Sequence, residues 1–358
     1  TPLIKALLAH YPDTPILITN TTPTGREHIQ RTFGEQVHQA YLPFDTPTFV
    51  NRFLDTIQPK ALLLLETELW PNVLSLCQAR GIPCLLMNAR LSERSFKRYG
   101  QAANASKKMM QALTHIAVQT ETVAARFITL GATADKTTIT GSIKFDISLP
   151  TPDKKVLAIL QKSIGTRPVI TAASTHKGEE TQLLEAFKTV LKTVPDALLV
   201  LVPRHTNRVD EIKKLIATQR LTLAQRSKNE PVTASTNIYL GDTMGEMGLY
   251  FTICNIAFVG GSLVNTGGHN VLEPASIAKP VLFGPHMHNF LEISKSLLAA
   301  QGAVKVRDAS HLAKAISHLI EDKTARLEMG TCAKDLVEQN RGALDKSVAI
   351  IQNHIKLM

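Results

Sequence analysis

Short apolar runs alternate with longer amphipathic stretches along most of the chain, a pattern typical of β-strands that are each followed by a helix. One helix start is clearly marked, because Thr46 is a favoured N-cap residue and Pro47 suits the first helical position. The alternation is too regular for a β-sandwich, so we predict a parallel sheet covered by helices. The strands predicted in the first part of the chain are 16–19, 37–42, 61–65, 84–88, 116–119 and 137–140.

This alternation stops at residues 147–153, where two prolines interrupt both the helical and the strand period. A second series of strands is then predicted at 169–172, 197–202, 237–240, 256–259, 281–283 and 303–306. A chain of 358 residues is long enough for two domains. We therefore predict an α/β protein of two doubly wound parallel-sheet (Rossmann-like) domains, 1–146 and 167–342, with a linker at 147–166 and a final helix at 343–358. Ligands of such sheets bind at the carboxyl ends of the strands, so two facing domains would enclose a cleft.

Composition narrows the class of protein. Hydrophobic residues make up 44% of the chain and charged residues 20%, which indicates packed domains. The four cysteines form no C-x-x-C pair, and neither H-E-x-x-H nor D-x-D occurs, so we expect no disulfide framework and no catalytic metal. This cysteine usage favours a reducing, cytoplasmic setting. No apolar run approaches the ~18 residues of a membrane span, and because the chain starts at Thr1 we expect an upstream segment to have been removed.

Charge points to an anionic partner. The formal net charge is +10, and between residues 80 and 108 seven basic residues face a single acid, Glu93. In an average protein, a solvated helix face would be the preferred explanation of such a stretch. A nucleic-acid-binding protein is a weaker alternative, because aromatic residues for base stacking make up only 5% of the chain.

Glycine-rich motifs follow two of the predicted strands in the second domain. They read Gly241-Asp-Thr-Met-Gly-Glu246 and Gly260-Gly-Ser-Leu-Val-Asn-Thr-Gly-Gly-His-Asn-Val-Leu-Glu-Pro274. Glycines allow a phosphate to approach the backbone, and a helix that opens near Asn270 would direct amide donors at it. Glu273 could then accept hydrogen bonds from ribose hydroxyls. The alternative for Gly260 and Gly261 is a tight connection without a ligand.

Further polar groups occupy other predicted strand ends. Arg204 and His205 end one strand, where a guanidinium could hold a phosphate or form only a surface ion pair. Ser174 and His176 end another strand, where the serine could contact a substrate anion or serve only as a helix N-cap.

The first domain places acids at a strand end. Glu66 and Glu68 follow an apolar strand, and acids in such a position usually have a partner or a chemical role. The carboxylates could accept a proton or hold a hydroxyl group or a cation, and they could also pair with Arg90; the two interpretations are compatible. Lys144, after the last strand of this domain, could stabilise a carboxylate or a leaving phosphate.

Six motifs in order give this chain a close resemblance to the Kdo transferases, which transfer 3-deoxy-D-manno-octulosonic acid (Kdo) from CMP-Kdo to a lipid A precursor in lipopolysaccharide synthesis. They begin at Glu66, Asn88, Gly141, Val202, Gly241 and Gly260. The resemblance implies a GT-B architecture, inversion at the sugar, no metal or other cofactor, and action at the cytoplasmic face of the bacterial inner membrane. It implies that the N-terminal domain binds the acceptor, that the C-terminal domain binds CMP-Kdo, and that the last helix packs back on the first domain. A nucleotide-sugar epimerase of the same architecture is the alternative enzyme.

The resemblance also implies residue roles. Glu66, Glu68 and Lys144 would line the reaction centre, while the principal general base of the family, a glutamate, would lie upstream of Thr1. Arg90, Arg94, Lys97 and Arg98 would face the phosphorylated acceptor and the anionic membrane. The donor-binding residues would be Ser174, His176, Arg204, His205, Gly241, Met244, Gly245, Glu246, Gly261, Ser262, Gly268, His269, Asn270 and Glu273.

Overall fold

A computed structural model describes residues 1–355 of the protein. The chain divides into two compact units: unit 1 comprises Thr1–Asp146 and the chain from Asn340 onward, and unit 2 comprises Ile147–Gln339. Within the described residues, no helix has both the length and the apolar character that crossing a membrane requires.

Unit 1 contains two parallel sheets. In the first, β1 (Leu17–Asn20) pairs with β2 (His38–Tyr41); the second has the order β3-β4-β5-β6. The strands of the second sheet are β3 (Leu62–Leu65), β4 (Cys84–Ala89), β5 (His115–Val118) and β6 (Thr137–Ile139). The sequence predicted all six strands, β1 to β6, to within two residues but placed them in a single sheet. Apolar patterning reports burial and does not encode which strands pair, so this division could not be read from it.

The helices of unit 1 before residue 146 are α1 (Pro2–His10), which precedes β1, and α2 (Pro23–Phe33), α3 (Pro47–Ile57), α4 (Pro71–Ala79), α5 (Glu93–Gln101), α6 (Ala103–Ala112) and α7 (Glu121–Thr129), which lie between strands. The first four each begin with proline, whose fixed φ suits the first helical turn and whose missing N–H has no partner to lose there. Short 3₁₀ turns lie at Gly34–Gln36 and Ala134–Lys136.

Strand β4 runs through the centre of unit 1 with every residue buried. Cys84 and Leu86 belong to the apolar cluster beneath α4 and α6, whereas Leu85 and Met87 belong to a cluster on the opposite face. Alternate side chains of a strand point to opposite faces, so the continuous apolar run at 84–87 reflects a sheet covered on both sides.

Unit 2 contains one parallel sheet of seven strands in the order β13-β12-β11-β7-β8-β10-β9. These are β7 (Val169–Thr175), β8 (Leu198–Pro203), β9 (Leu223–Gln225), β10 (Ile238–Leu240), β11 (Ile256–Val259), β12 (Val281–Phe283) and β13 (Ala303–Lys305). The sequence did not predict β9, because three residues ending in glutamine carry too little apolar pattern. The strands that follow β7 along the chain, β8 to β10, lie on one side of it, whereas β11 to β13 lie on the other side. The boundary between β7 and β11 is therefore the point where the strand order reverses, and open α/β sheets bind ligands at such a switch point.

The helices of unit 2 are α8 (Lys154–Ile164), α9 (Glu179–Val190), α10 (Val209–Thr218), α11 (Met247–Ile253), α12 (Leu272–Ala275), α13 (Leu291–Ala299), α14 (Ala309–Glu321) and α15 (Lys323–Gln339). Short 3₁₀ turns lie at Thr206–Arg208, Arg226–Lys228 and His288–Phe290. Helix α8 lies in the segment 147–166 that was expected to be a linker. Asp153 caps it by accepting hydrogen bonds from the backbone of Lys155 and Val156, and Leu160 and Ile164 pack into the core of unit 2. The two prolines therefore mark only the few residues before this helix.

The final helix, α16 (Ala343–His354), belongs to unit 1. Its Val348 and Ile351 pack with Leu3 and Leu7 of α1 in the cluster on one face of β4. The predicted helix at 343–358 ends earlier than expected, and residues 356–358 lie outside the described residues. Asp146 fixes the start of α16 by accepting 2.6 Å hydrogen bonds from the backbone N–H groups of Gly342 and Leu344.

Candidate functional site

A buried carboxylate organises the carboxyl ends of β7 and β11. Glu179, the first residue of α9, is fully buried, and its two oxygens accept four backbone hydrogen bonds. The donors are His176 at 2.9 Å, Gly261 at 2.6 Å, Ser262 at 2.9 Å and Leu263 at 2.8 Å. The amides of Gly261 and Ser262 were predicted to receive a phosphate, but in this structure the glutamate already occupies them.

The two loops approach each other too closely for side chains at their point of contact. A Cβ on Gly260 would lie 2.6 Å from the carbonyl oxygen of Ser174, so only glycine fits there. Ser174 itself has φ of +55°, a conformation that is strained for a non-glycine residue. Strain of this kind persists only where the surroundings hold it, and two residues further along this loop the backbone N–H of His176 is bound by Glu179.

Three histidines lie together beside these loops. The Nε2 atoms of His176 and His269 are 2.7 Å apart, with the ring planes 11° from parallel and the ring centroids 5.0 Å apart. His205, at the end of β8, meets the ring of His176 edge-on at 5.6 Å. Burial, together with His176, Arg204 and His205, lowers the pKa of His269 to about 4. Burial is also the main cause of the lowered pKa of His176.

A cavity of about 290 Å³ opens at the switch point between β7 and β11. Five of the predicted donor-binding residues line it together with Ala173, Met247, Phe251 and Val259; these five are Ser174, Arg204, His269, Asn270 and Glu273. A wall of this composition, apolar with a few convergent polar groups, is typical of small-molecule sites.

Glu273 and Asn270 form one edge of this cavity. Burial raises the pKa of Glu273, while the 3.2 Å hydrogen bond that Asn270 donates to its carboxyl group acts in the opposite direction. Asn270 also accepts a hydrogen bond from the backbone of Leu272, which starts α12. This helix has only four residues, so it is much shorter than the helix that the sequence predicted to open near Asn270 and to direct amide donors at a phosphate.

The loop 241–246 is held by a second acid. Glu246 forms a bidentate ion pair with Arg226 at 2.7 and 3.0 Å, and Thr243 also donates a hydrogen bond to it. Burial alone would raise the pKa of Glu246, but these partners lower it. The carboxylate oxygens of Glu246 are therefore engaged by these protein groups rather than presented to a nucleotide-sugar ligand. Met244 is 70% exposed on this loop, between Gly241, which is packed against the Tyr250 ring, and Gly245, which has φ of +82°.

In unit 1 the predicted acidic motif follows β3. Glu66 has φ of +62°, and its carboxylate forms a 2.6 Å ion pair with Arg90, as one of the predicted alternatives had it. Thr67 donates a hydrogen bond to the carbonyl of Arg90, so the two strand ends are tied together. Glu68 is exposed, and Lys144 is half-buried in the loop after β6.

Unit 1 also exposes aromatic and basic side chains. Asp45 accepts hydrogen bonds from the backbone of Asn72 and Val73 at the start of α4, which brings the preceding Phe44 next to the motif. Phe44 is 81% exposed, and its ring lies 6.3 Å from that of Phe49. Arg94, Lys97 and Arg98 are exposed on α5, where Lys97 also pairs with Glu93.

Sequence reasoning missed the side chains that hold the loops: Glu179, Arg226 and Asp45. Glu179 was visible only as an acid in a first helical turn, a common position that does not reveal its loop contacts 82 to 84 residues away. The pairing of Arg226 with Glu246 likewise joins two segments that no local pattern relates.

Comparison with known proteins shows which protein family the chain resembles. Residues 1–147 match the family described as 3-deoxy-D-manno-octulosonic-acid transferase (kdotransferase), and residues 169–336 match glycosyl transferases group 1. A 3-deoxy-D-manno-octulosonic acid transferase of Haemophilus influenzae is 39% identical over 360 residues, covering 99% of this chain and 84% of that protein. One of Bordetella pertussis is 34% identical over 362 residues, covering 98% and 83%.

Comparison with solved structures concerns the fold. The crystal structure of MurG from Acinetobacter baumannii superposes with a TM-score of 0.61 at 10% identity, over 98% of this chain and 94% of that one. At this identity the likeness concerns the fold alone, and with the parallel sheets of both units it confirms the predicted GT-B class. The epimerase alternative is not favoured, because the named relatives that match nearly the whole chain are transferases. Their identity over nearly the whole of this chain places it among the 3-deoxy-D-manno-octulosonic acid transferases, as an enzyme that transfers glycosyl groups.

Proposed function

We infer that this enzyme transfers Kdo from CMP-Kdo to a phosphorylated lipid A precursor, lipid IVA, with inversion at the sugar and without a metal ion. The cavity between β7 and β11 carries the donor half of this proposal, because it combines the cation of Arg204 with the carboxyl group of Glu273 at a switch point. A nucleotide needs both groups, one for its phosphate and one for its ribose.

On this proposal unit 2 is the donor-binding domain. Arg204 holds the phosphate with two parallel N–H donors and stabilises it as the bond to the sugar breaks and charge develops. Glu273 accepts hydrogen bonds from the ribose, and Asn270 orients it through the contact between the two side chains. Ser174 and His269 bound the phosphate end, and Met244 covers the nucleotide from its exposed position.

Unit 1 is then the acceptor-binding domain. An acceptor hydroxyl, deprotonated by a carboxylate, attacks the anomeric carbon from the face opposite the leaving phosphate, which inverts the configuration. Within this chain Glu66 and Glu68 are the candidates for that carboxylate, and the ion pair with Arg90 fixes the orientation of Glu66. Lys144 stabilises the negative charge of the substrates.

The exposed groups of unit 1 suit an acylated, phosphorylated acceptor at an anionic membrane. The cations of Arg94, Lys97 and Arg98 would attract lipid phosphates at about 1 kcal/mol for each residue close to the surface. Phe44 and Phe49 offer exposed apolar area on unit 1, where acyl chains could pack. We therefore propose that the enzyme works at the cytoplasmic face of the inner membrane.

Calorimetric titration with CMP tests the donor site. We expect saturable binding that weakens about 10- to 100-fold in Arg204→Ala, because hydrogen bonds between charged partners contribute about 1.5–3 kcal/mol. Lys214→Ala, on the exposed face of α10, removes the same charge elsewhere and should leave the affinity unchanged. A folded wild-type chain that ignores CMP, or an Arg204→Ala variant that binds it normally, would remove the proposed donor site.

Transfer is tested with CMP-Kdo and lipid IVA in the presence of EDTA. We expect CMP release together with a mass gain of one or more Kdo groups on the lipid, and inversion at the anomeric carbon by NMR. Released nucleotide with an unchanged acceptor would support an epimerase instead, and loss of activity in EDTA would contradict metal independence.

A further inference from the structure

The pair His176 and His269 joins the two loops that bound the donor cavity. The Nε2 atoms are 2.7 Å apart, so a hydrogen bond between them contains a single proton, with one ring as donor and the other as acceptor. The pair can therefore be neutral or carry one positive charge. A second charge would oppose two N–H groups and break the bond.

Titratable groups on two elements, the end of β8 and α9, face the pair. Arg204 and His205 lie at the end of β8, and both act to lower the pKa values of the two rings. Glu179 and Glu180 on α9 face His176 and favour its protonation. Both carboxylates are already engaged, however.

Glu179 accepts the four backbone bonds described above. Glu180 accepts hydrogen bonds from Thr175 and from both terminal nitrogens of Arg208, at 2.9 to 3.2 Å. Burial and the neighbouring cations thus keep the pair neutral at pH 7, with its pKa values below the ordinary range.

A bound phosphate monoester would reverse this balance. Such a group carries about −1.5 to −2 charge at pH 7, and Arg204 and His269 line the same cavity. We propose that the His176–His269 pair takes up one proton from solvent when the phosphate of a nucleotide monophosphate binds beside Arg204. The identity of that nucleotide as CMP rests on the proposed function.

Proton uptake would match the change in ligand charge during transfer. The donor phosphate is a diester with one negative charge. When the bond between the sugar carbon and the phosphate oxygen breaks, the electron pair stays on the oxygen and the phosphate gains one charge. The acceptor hydroxyl gives its own proton to a base, so the proton on the histidine pair comes from solvent and offsets the added charge. The site thereby adapts to its product.

Calorimetry of CMP binding at pH 7.5, in buffers of different ionisation enthalpy, measures the protons taken up by the wild-type chain itself. We expect an uptake approaching one proton and an affinity that falls by up to about tenfold for each pH unit between the pKa of the free pair and the higher pKa of the pair in the complex. His176→Gln and His269→Gln should each abolish the uptake. His318→Gln, on the exposed face of α14, should preserve it, and cytidine, which lacks the phosphate, should bind without it.

The possible results separate this inference from the proposed function. CMP binding without proton uptake by the wild-type chain, or uptake that survives in both glutamine variants, would overturn the role of the pair and leave the donor site intact. Absence of CMP binding would remove the donor site, and the inference with it. The measurement on the wild type needs no substitution, so a variant that folds poorly does not affect it.

Discussion

Replacing Glu179 by glutamine tests whether one buried carboxylate maintains the donor cavity. Each carboxylate oxygen accepts two backbone N–H groups, from His176 and Gly261 on one side and from Ser262 and Leu263 on the other. Glutamine keeps one oxygen and puts an NH₂ group in place of the other. Two buried N–H groups would then face another donor and lose their acceptor.

The magnitude follows from these lost acceptors. Each buried, unsatisfied N–H group costs about 1–3 kcal/mol, so Glu179→Gln should destabilise the two loops by about 2–6 kcal/mol. Even the lower value corresponds to an opening equilibrium of the loop that is about 30-fold more favourable, since about 1.36 kcal/mol changes an equilibrium tenfold. For a domain of this size, the melting temperature should fall by at least about 4 °C.

Hydrogen exchange followed by mass spectrometry is the direct assay, because it reports on a peptide covering 258–266. Protection there should drop by at least about 30-fold in Glu179→Gln, while peptides from unit 1 keep their exchange rates. Glu185→Gln changes an exposed glutamate of the same helix and should have no effect on this loop. Unchanged protection of the loop in Glu179→Gln would refute the assignment of these hydrogen bonds.

Three further perturbations test other parts of the structure. Arg226→Leu should destabilise unit 2 by about 1–3 kcal/mol, because it strands the half-buried Glu246, and adding Glu246→Leu should recover part of the loss in urea unfolding. Gly284→Ala places a Cβ about 2.2 Å from a carbonyl of the loop after β11, so its melting temperature should fall strongly, whereas Gly100→Ala meets open space and should be neutral. Burial is the main cause of the lowered pKa of His115 in the folded chain, so the unfolded chain binds more protons and the stability of unit 1 should fall as pH drops below about 6.5. Tryptophan fluorescence, which reports on unit 1 alone, would show a flat dependence if that histidine were already protonated in the native state.

The strands that position the cavity could be predicted because buried strands of a parallel sheet appear in the sequence as continuous apolar runs. Residues 256–259 and 281–283 are strands over the predicted bounds, and Ser174, Arg204 and Glu273 came together because strand ends share one edge of a parallel sheet. Local pattern and sheet topology were sufficient for that much.

The way the loops are held could not be predicted, because it depends on contacts between distant segments. The glycines at 260 and 261 indicated a backbone free of side chains, but not that the anion they accommodate belongs to the protein. The bond between His176 and His269 joins residues 93 positions apart. The proline pair at 150 and 152 was read as part of a long linker, because the packing of Leu160 and Ile164 against unit 2 has no signature in the prolines.

Asp146 ties the point where the chain leaves unit 1 to the point where it returns, at Gly342 and Leu344. Unit 2 is thus an insertion within unit 1, whose apolar cluster needs Leu3 and Leu7 together with α16. A ribosome completes unit 2 before it synthesises α16, and domains generally fold as units in the order of synthesis. During translation, therefore, unit 2 can reach its native state while α16 has not yet been synthesised and one face of β4 is still without it. Unit 1 begins first along the chain but is completed last.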